Sequence, residues 1–324
     1  MKRNILIITI MAAMMAVLTT ACEKTIEFNG DIVNNQEVVM VSLPEADSTW
    51  HVKLTMSRFF LSNDRISTIE NASFALEVNG QAMDNHITNQ GNGYYDMGYV
   101  PRCGDTLTLT VNVPDKGKLT AGCRIPNRPA IGDISFDWDT TQYVYIYDDG
   151  TIIRSYGDVN VKFVIKDPSN EKNFYMLRVA ERTHYEWDET EEYGNWQYSY
   201  ITIDDNVLFD LDMTNEILDI SESDNTGSMI LFTDERINGH EHAITIPLHY
   251  SSESEYKRQY RLEFYSLSRD CYYYLKTRRA AASQDELTGI FSEPVQLYTN
   301  AQGGIGILGG MSAVKYYLKE ISNN

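Results

Sequence analysis

The chain has 324 residues, with 27 Lys and Arg against 46 Asp and Glu, which gives a formal net charge of -19. So acidic a surface repels the phosphate backbone of nucleic acids, and we expect no nucleic-acid partner. A chain of this length usually forms two domains. Its 22 tyrosines suit strands and wet interfaces.

Residues 1–21 have the layout of a signal peptide: two bases, an apolar run ending at Leu18, and small residues up to Ala21. The apolar run is too short to be a membrane-spanning helix. Cys22 follows in a pattern that resembles the lipobox of bacterial lipoproteins, although the usual Leu lies one place early. We predict that Cys22 becomes the first residue of the mature protein and carries lipid. Ordinary secretion with an incidental thiol is the alternative.

Lipid on Cys22 would hold the chain stably at a membrane, since each buried CH₂ contributes about 0.8 kcal/mol. Glu23 stands where an Asp would resemble an inner-membrane retention signal, so we expect the outer membrane. Its periplasmic face and the cell surface both stay open. Residues 22–35 are polar and predict a tether. No later stretch has about 20 consecutive apolar residues, so no further span is predicted.

Short strands follow one another from residue 36 to residue 128. Thr106–Val113 alternates polar and apolar residues, and Asn79-Gly80 is a strong hairpin signal. Seven such strands in about 100 residues favour an Ig-like β-sandwich. Pro126 and Pro129 interrupt strand pairing, so we place a domain boundary near residue 128. The predicted strands are 38–43, 50–56, 73–78, 81–87, 94–100, 106–113 and 118–125.

Residues 129–324 are predicted to form a larger antiparallel β domain with one helix, over residues 268–283. Ser268 is a good N-cap, and Asp270 in the first turn suits the helix macrodipole. The bases near the helix end are Lys276, Arg278 and Arg279, and the apolar stripe consists of Leu267, Cys271, Tyr274, Leu275 and Ala282. The predicted strands are 131–138, 142–147, 151–166, 173–187, 196–203, 228–233, 243–250 and 258–266, with three more around Val295, Ile305 and Val314.

Residues 304–309 match G-x-G-x-x-G literally, but the chain left after them is too short for the helix and strand of a dinucleotide site. We interpret these glycines as places of close strand packing. Cys103 and Cys123 flank a predicted hairpin and are a candidate disulfide. Because they are not directly opposed, two small buried residues are the alternative. Cys271 is expected in the core.

Two sets of side chains are candidate metal ligands. His240 and His242 would share one strand face, but no third ligand is evident, and a polar turn is the alternative. Asp137 and Asp139 lie at the end of a tyrosine-rich strand and are candidates for calcium, with solvated carboxylates as the alternative. Beyond the lipid on Cys22, we expect no cofactor.

Aromatic residues line two neighbouring strands. Tyr185 and Trp187 share one strand face, and Trp196, Tyr198 and Tyr200 share a face on the next strand. If the strands pair, they form a long hairpin with an aromatic side. One interpretation is cross-strand packing over a core. The other is a platform for a sugar, a peptide or a partner protein.

Several motifs together resemble a known family. They are Arg124-Ile125-Pro126; Asp167-Pro168 before Asn173-Phe174-Tyr175-Met176-Leu177; Ser268 with Tyr272 and Tyr274-Leu275; Phe291-Ser292-Glu293-Pro294-Val295; and Thr299-Asn300-Ala301-Gln302-Gly303-Gly304-Ile305-Gly306-Ile307. With the lipobox, they resemble the DUF4249 family of Bacteroidetes lipoproteins over nearly the whole mature chain. Asp47-Ser48-Thr49 also resembles the short O-glycosylation motif of that phylum, which makes Ser48 a candidate for modification.

Members of this family are often encoded beside TonB-dependent outer-membrane receptors, and the family has no assigned catalytic residues to carry over. The resemblance therefore implies a non-enzymatic, lipid-anchored partner of such a receptor, which helps to capture or gate a nutrient. Two alternatives stay open. One is a free-standing surface binding or adhesion module, and the other is a hydrolase that uses acids or a metal between residues 184 and 250.

Overall fold

The structure is a computed structural model. It describes residues 36–58, 64–147, 150–169, 171–185, 194–203, 205, 207–208, 226–253, 256–287 and 296–318. Residues 1–35, with Cys22 and the predicted tether, lie outside the described part. So do Trp187, the strand predicted around Val295, and the side chains of Asp139 and Tyr185.

The chain is mainly β, as predicted. The strands are β1 (Val38–Ser42), β2 (His51–Met56), β3 (Ser73–Val78), β4 (Gln81–Met83), β5 (Thr88–Gly91), β6 (Tyr94–Asp96), β7 (Thr106–Val113), β8 (Gly117–Arg124), β9 (Ala130–Tyr147), β10 (Gly150–Lys166), β11 (Phe174–Tyr185), β12 (Gln197–Tyr198), β13 (Ile201–Thr202), β14 (Thr226–Gly227), β15 (Ile230–Thr233), β16 (Glu241–Glu253), β17 (Tyr256–Leu267), β18 (Ile305–Leu308) and β19 (Met311–Tyr317); the described helix is α1 (Arg269–Leu287).

Strands β1–β8, together with β18 from late in the chain, form a β-sandwich. One sheet has the order β18-β1-β2-β6-β5 and the other β4-β3-β7-β8. Leu107, Leu109 and Val111 of β7 are fully buried while the residues between them are partly exposed, so the period-2 pattern places one face in the core. Buried Trp50 joins that core and donates its indole N–H to Ser42 Oγ at 2.7 Å.

One sandwich strand was not predicted. The segment predicted as a strand over 81–87 ends at Met83, and β5 follows instead over Thr88–Gly91. This strand carries the polar sequence Thr-Asn-Gln-Gly, so it has no apolar alternation to reveal it. Its turn does carry a signal, because Asn92 and Gly93 both have positive φ, as a hairpin turn requires.

The second half of the described chain builds another core between two sheets. One has the order β16-β10-β9, and the other β12-β11-β17-β19 with β15 also paired to β11. Phe163 and Phe264, with ring centroids 6.2 Å apart, meet across this core. The strands predicted over 131–138 and 142–147 are a single strand, β9. Its polar middle stays in register with β10, so there is no turn between them.

Helix α1 begins as predicted but continues past its predicted end to Leu287. The N–H of Cys271 donates to Ser268 Oγ at 3.2 Å, which confirms the N-cap. Because the helix is longer, its last turn holds no base, and Ala282 of the predicted stripe is exposed. Cys271 is buried as expected, beside the unpredicted Tyr272. Nowhere in the described chain is a helix long and apolar enough to cross a membrane.

The sandwich is closed by a strand from the far end of the chain. β18 pairs in parallel with β1, and Gly306 lies opposite Met40. A Cβ atom at Gly306 would overlap the backbone of Met40, which confirms close packing as the role of these glycines. The predicted boundary near residue 128 therefore separates two hydrophobic cores, but β18 returns to the first. A third cluster crosses the boundary, because Cys271 and Leu275 of α1 pack with Ile307 of β18 and with Val41 and Leu43. Whether 36–128 and 129–324 are separate domains stays a prediction.

Two side chains replace a strand on the outer edge of β18. Thr299 Oγ1 donates to Gly306 O at 2.7 Å and accepts from Gly306 N–H at 2.9 Å. The Asn300 amide does the same for Leu308, with both distances at 3.0 Å. Asn300 also donates to Asp270 of α1 at 3.1 Å. The motif at Thr299-Asn300 thus ties the helix and the sandwich to one short strand.

Closure by β18 predicts that Gly306→Ala is strongly destabilising. The added methyl group meets the Met40 backbone at a φ of 145°, so we expect a loss of about 3 kcal/mol in the free energy of unfolding. The matched control is Gly122→Ala in β8, whose Cβ would be 3.4 Å from its nearest neighbour. That variant should change stability by less than about 1 kcal/mol. Equal urea midpoints for the two variants would contradict the role given to β18.

Candidate functional site

A solvent-open cleft of about 600 Å³ lies where three segments of the chain meet. The first segment, 124–130, follows β8; the second, 166–175, connects β10 to β11; the third, 266–269, joins β17 to α1. Prolines in the first two segments cannot donate to a β-ladder. The segments therefore leave a space between the two cores rather than continuing either sheet across it.

The rim of the cleft is basic, in contrast to the chain as a whole. Its lining contains five basic side chains and two acidic ones, Asp167 and Glu171. The basic residues are Arg124, Arg128, Lys166, Lys172 and Arg269. The cleft lining thus has more basic than acidic side chains, although the chain as a whole has a net charge of -19.

Two of these cations have carboxylate partners on the surface. Arg128 pairs with Asp47, and Lys166 Nζ lies 3.1 Å from Glu241. The four side chains of these pairs are about half exposed. Exposed ion pairs contribute little, typically about 0–1 kcal/mol, so their partners are readily exchanged.

The other three cations have no carboxylate within salt-bridge distance among the described residues. Lys172 Nζ lies 5.8 Å from the Phe174 ring centroid, and the Arg269 guanidinium lies 5.0 Å from that of Tyr273. Arg124 is exposed at the end of β8. Their charges therefore face solvent at the rim.

Beneath this rim, two buried carboxylates are held by hydrogen bonds. Asp167 accepts from Tyr175 OH at 2.5 Å and from Gly239 N–H at 2.9 Å. Asp234, which is 1% exposed, accepts from the backbone N–H of Asn173 at 2.8 Å. Burial raises the pKa of the Asp234 carboxyl, and the nearby Asp167 charge raises it further, although the Asn173 hydrogen bond opposes both.

The raised pKa of Asp234 predicts how its substitution depends on pH. When folding raises the pKa of an acid, its stabilising contribution is present at low pH and is lost as pH rises through the folded pKa. Asp234→Asn keeps an acceptor for Asn173 but carries no charge. We expect this variant to gain stability relative to the native chain as pH rises from about 4 to about 7.

Urea unfolding at several pH values measures this effect. The control is Asp115→Asn, because Asp115 is an exposed turn residue at a φ of 62°, a conformation that Asn tolerates. The curve for the control should run parallel to that of the native chain. A parallel curve for Asp234→Asn as well would contradict the electrostatic account of the buried carboxylate pair.

Part of the predicted aromatic surface packs against other side chains of the protein. β12 pairs with β11, with Tyr198 opposite Ala180. The guanidinium groups of Arg182 and Arg261 lie 4.6 Å and 4.3 Å from the Trp196 ring centroid, and that of Arg178 lies 3.2 Å from Tyr198. These cation–π contacts dock β12 on its sheet. Trp196 and Tyr198 thus take part in cross-strand packing, but Tyr198 is still 43% exposed, and its role as a binding platform stays a prediction.

Tyr200 and Tyr317 remain open, with 75% and 65% exposure. Next to these aromatic side chains lies Glu263, which is 1% exposed. It accepts hydrogen bonds from Arg261 Nε at 2.7 Å and from Tyr265 OH at 2.7 Å. The buried charge is thus paired and hydrogen-bonded, as a buried carboxylate must be.

The Glu263–Arg261 pair predicts a large effect for removal of one partner. Glu263→Gln leaves the partly buried Arg261 without its carboxylate, and we expect a loss of about 3 kcal/mol in unfolding free energy. The double variant Arg261→Met, Glu263→Leu should recover most of this loss, because neither charge then remains. Exposed Glu77 provides the control Glu77→Gln, which should be neutral. A double variant less stable than Glu263→Gln would contradict this account.

The candidate metal ligands His240, His242 and Asp137 each contact a different group of the protein. His242 Nε2 lies 2.7 Å from Asp205, and His240 Nδ1 lies 2.7 Å from Asn238 O in its own turn. Asp137 instead accepts from Lys162 Nζ at 3.2 Å. Across the residues that the structure describes, no group of three or more His, Cys, Asp and Glu is placed to hold a metal ion. His240 and His242 therefore belong to no such group there, although Asp205 lies beside His242, and metal binding stays a prediction.

Cys103 and Cys123, the candidate disulfide pair, are both free thiols in the structure. Cys123 pairs opposite Leu107, so Cys103 lies beyond the end of the pairing and is not opposed to it. Burial raises the pKa of the Cys123 thiol to about 12, which keeps this group a neutral core residue. Ser48 lies in a turn, where its N–H donates to Glu45 O at 3.3 Å. Its glycosylation stays a prediction.

Sequence reasoning missed the cleft because its cations lie in three distant segments. A signal was nevertheless present. The motifs Arg124-Ile125-Pro126, Asp167-Pro168 and Asn173-Phe174-Tyr175, and Ser268, all supply residues to the lining. Motifs that looked purely structural in the sequence therefore converge on one opening.

The fold defines a mainly β protein whose sandwich is closed by its own late strand and whose two cores flank a basic cleft. The model of the DUF4249 family, a domain of unknown function, matches residues 23–316. This match covers most of the chain, so the chain belongs to the DUF4249 family, as its motifs predicted. A comparison with curated proteins finds no match.

Proposed function

We propose that this chain is a lipid-anchored outer-membrane protein that captures a small ligand in its basic cleft for a TonB-dependent receptor. The observation that carries the proposal is the convergence of three family-like motifs on one cleft of about 600 Å³. A volume of that order suits a small solute. The signal peptide and Cys22 support the membrane anchor, and the family resemblance supports the receptor.

The proposed role is binding rather than catalysis. Buried Asp167 and Asp234 are held by donors from the protein's own chain, and the cations that face the opening are exposed side chains of Arg and Lys. Such groups recognise and orient a ligand. A general acid or base, in contrast, needs a titratable group within hydrogen-bond reach of the reacting atoms.

A free-standing adhesion module is the second candidate. The exposed rings of Tyr200 and Tyr317 favour it, because exposed aromatic groups are common anchors at interfaces. The two candidates differ in whether a receptor is physically associated with the protein.

The anchor predicts that Cys22→Ala moves the protein from the membrane fraction to the soluble fraction. The control, Cys103→Ala, removes a thiol but leaves the anchor and should stay in the membrane. From detergent-solubilised outer membrane, the native chain should co-purify with a TonB-dependent receptor. A Cys22→Ala protein that stays in the membrane would overturn the anchor. Purification of the native chain without any barrel receptor would overturn the partnership and favour adhesion.

A further inference from the structure

We infer that the cleft selects small soluble anions that carry carboxylate or phosphate groups. This inference rests on the proposed function only in taking the cleft as the ligand site. It names the chemical class of the ligand, which neither the family nor the anchor specifies.

The first argument is the imbalance of charge at the opening. Five basic and two acidic side chains line it. Arg128 and Lys166 are paired with Asp47 and Glu241, and the acidic Asp167 is already bound on both oxygens, by Tyr175 OH and by Gly239 N–H. The other three cations are less committed, since Arg124, Lys172 and Arg269 have no carboxylate within salt-bridge distance in the described part of the chain.

The second argument is the fit between these cations and oxyanions. Arg presents a planar fork of N–H donors that matches carboxylate and phosphate oxygens, whereas Lys supplies a mobile point charge. Arg124 belongs to the first segment of the cleft, Lys172 to the second and Arg269 to the third. A ligand in the opening is therefore within range of positive charge from all three segments.

The third argument concerns the surroundings of the cleft. The chain as a whole repels anions, because its net charge is -19, so any affinity for an anion must come from a local site. Apolar Phe174 and Leu267 also form part of the lining and are nearly fully buried. A compact anion is thus favoured over a long flexible polyanion, which the rest of the surface repels.

The test uses the full-length protein in detergent, with inorganic phosphate and citrate as probes in isothermal titration calorimetry at low ionic strength. We expect saturable binding of at least one probe. In Arg124→Gln, Arg269→Gln the dissociation constant should rise at least tenfold. The matched control is Lys116→Gln, Lys118→Gln, which removes the same charge from exposed positions at the other end of β8. Its dissociation constant should stay within twofold of the native value.

Should the double Arg variant fail to fold, the single variant Lys172→Gln replaces it, because Lys172 lies in an exposed loop. It should weaken binding several-fold. Added sodium chloride should weaken binding to the native chain, as screening requires. The inference is overturned if neither probe binds the native chain saturably, or if the control loses as much affinity as the cleft variant.

A second arm separates soluble anions from membrane lipid. Vesicles of phosphatidylglycerol carry the same phosphate chemistry, and binding to these vesicles without binding to phosphate or citrate would overturn a soluble ligand. Receptor co-purification is measured on the same preparations. If the receptor co-purifies and no anion binds, this inference alone fails. If an anion binds and no receptor co-purifies, the partnership alone fails.

Discussion

The close approach of β18 to β1 is the constraint on which the rest of the structure depends. Gly306 permits it, because any side chain there would overlap the backbone of Met40. Asn300 then fastens the outer edge of β18 and reaches across to Asp270 of α1. With α1 held there, Ser268 caps the helix and also accepts from Gly310 N–H at 3.1 Å. The third wall of the cleft, 266–269, is thus positioned by a glycine and an asparagine in another part of the chain.

In this protein several carboxylates are buried, whereas the cations of the cleft are exposed. The buried carboxylates Asp167, Asp234 and Glu263 are each held by hydrogen-bond donors, so burying them does not leave an uncompensated charge. The cations of the cleft lie outside, where their charge is available to solvent. Two of these cations, Arg128 and Lys166, are paired with exposed carboxylates, and the other three have no carboxylate within salt-bridge distance among the described residues. This arrangement, rather than the total charge of the chain, makes the cleft a candidate site for anions.

Local patterns predicted most of the fold. The alternation in Thr106–Val113 gave the correct bounds of β7, and Ser268 marked the start of α1. Two kinds of feature were missed. The polar strand β5 has no apolar periodicity. The polar middle of β9 resembles a turn in the sequence, and it continues as a strand because it is hydrogen-bonded to β10. Both features depend on pairing with other strands, and local strand propensity does not predict which strands pair.

The site was harder to predict than the fold. Trp196 and Tyr198 could be placed on one strand face, but the arginines that cover them come from β11 and β17. Likewise Arg124 of β8 and Arg269 of α1 are far apart in the sequence and line the same cleft only in the folded chain. Such contacts depend on which distant strands pair, and a single sequence does not show this pairing directly. The motif residues beside the cleft were visible, but their shared location was not.

The pairing of β1 with β18 also sets an order of events in folding. Synthesis proceeds from the N-terminus, so β1 exists for most of that time without the partner that completes its sheet. Until Ile305–Leu308 arrives, one edge of β1 offers unpaired N–H and C=O groups to any strand nearby. The sandwich is therefore the first part of the chain to be made and among the last to be finished. We therefore expect a chain cut short before β18 to leave that edge of β1 exposed and to aggregate more readily than the whole chain.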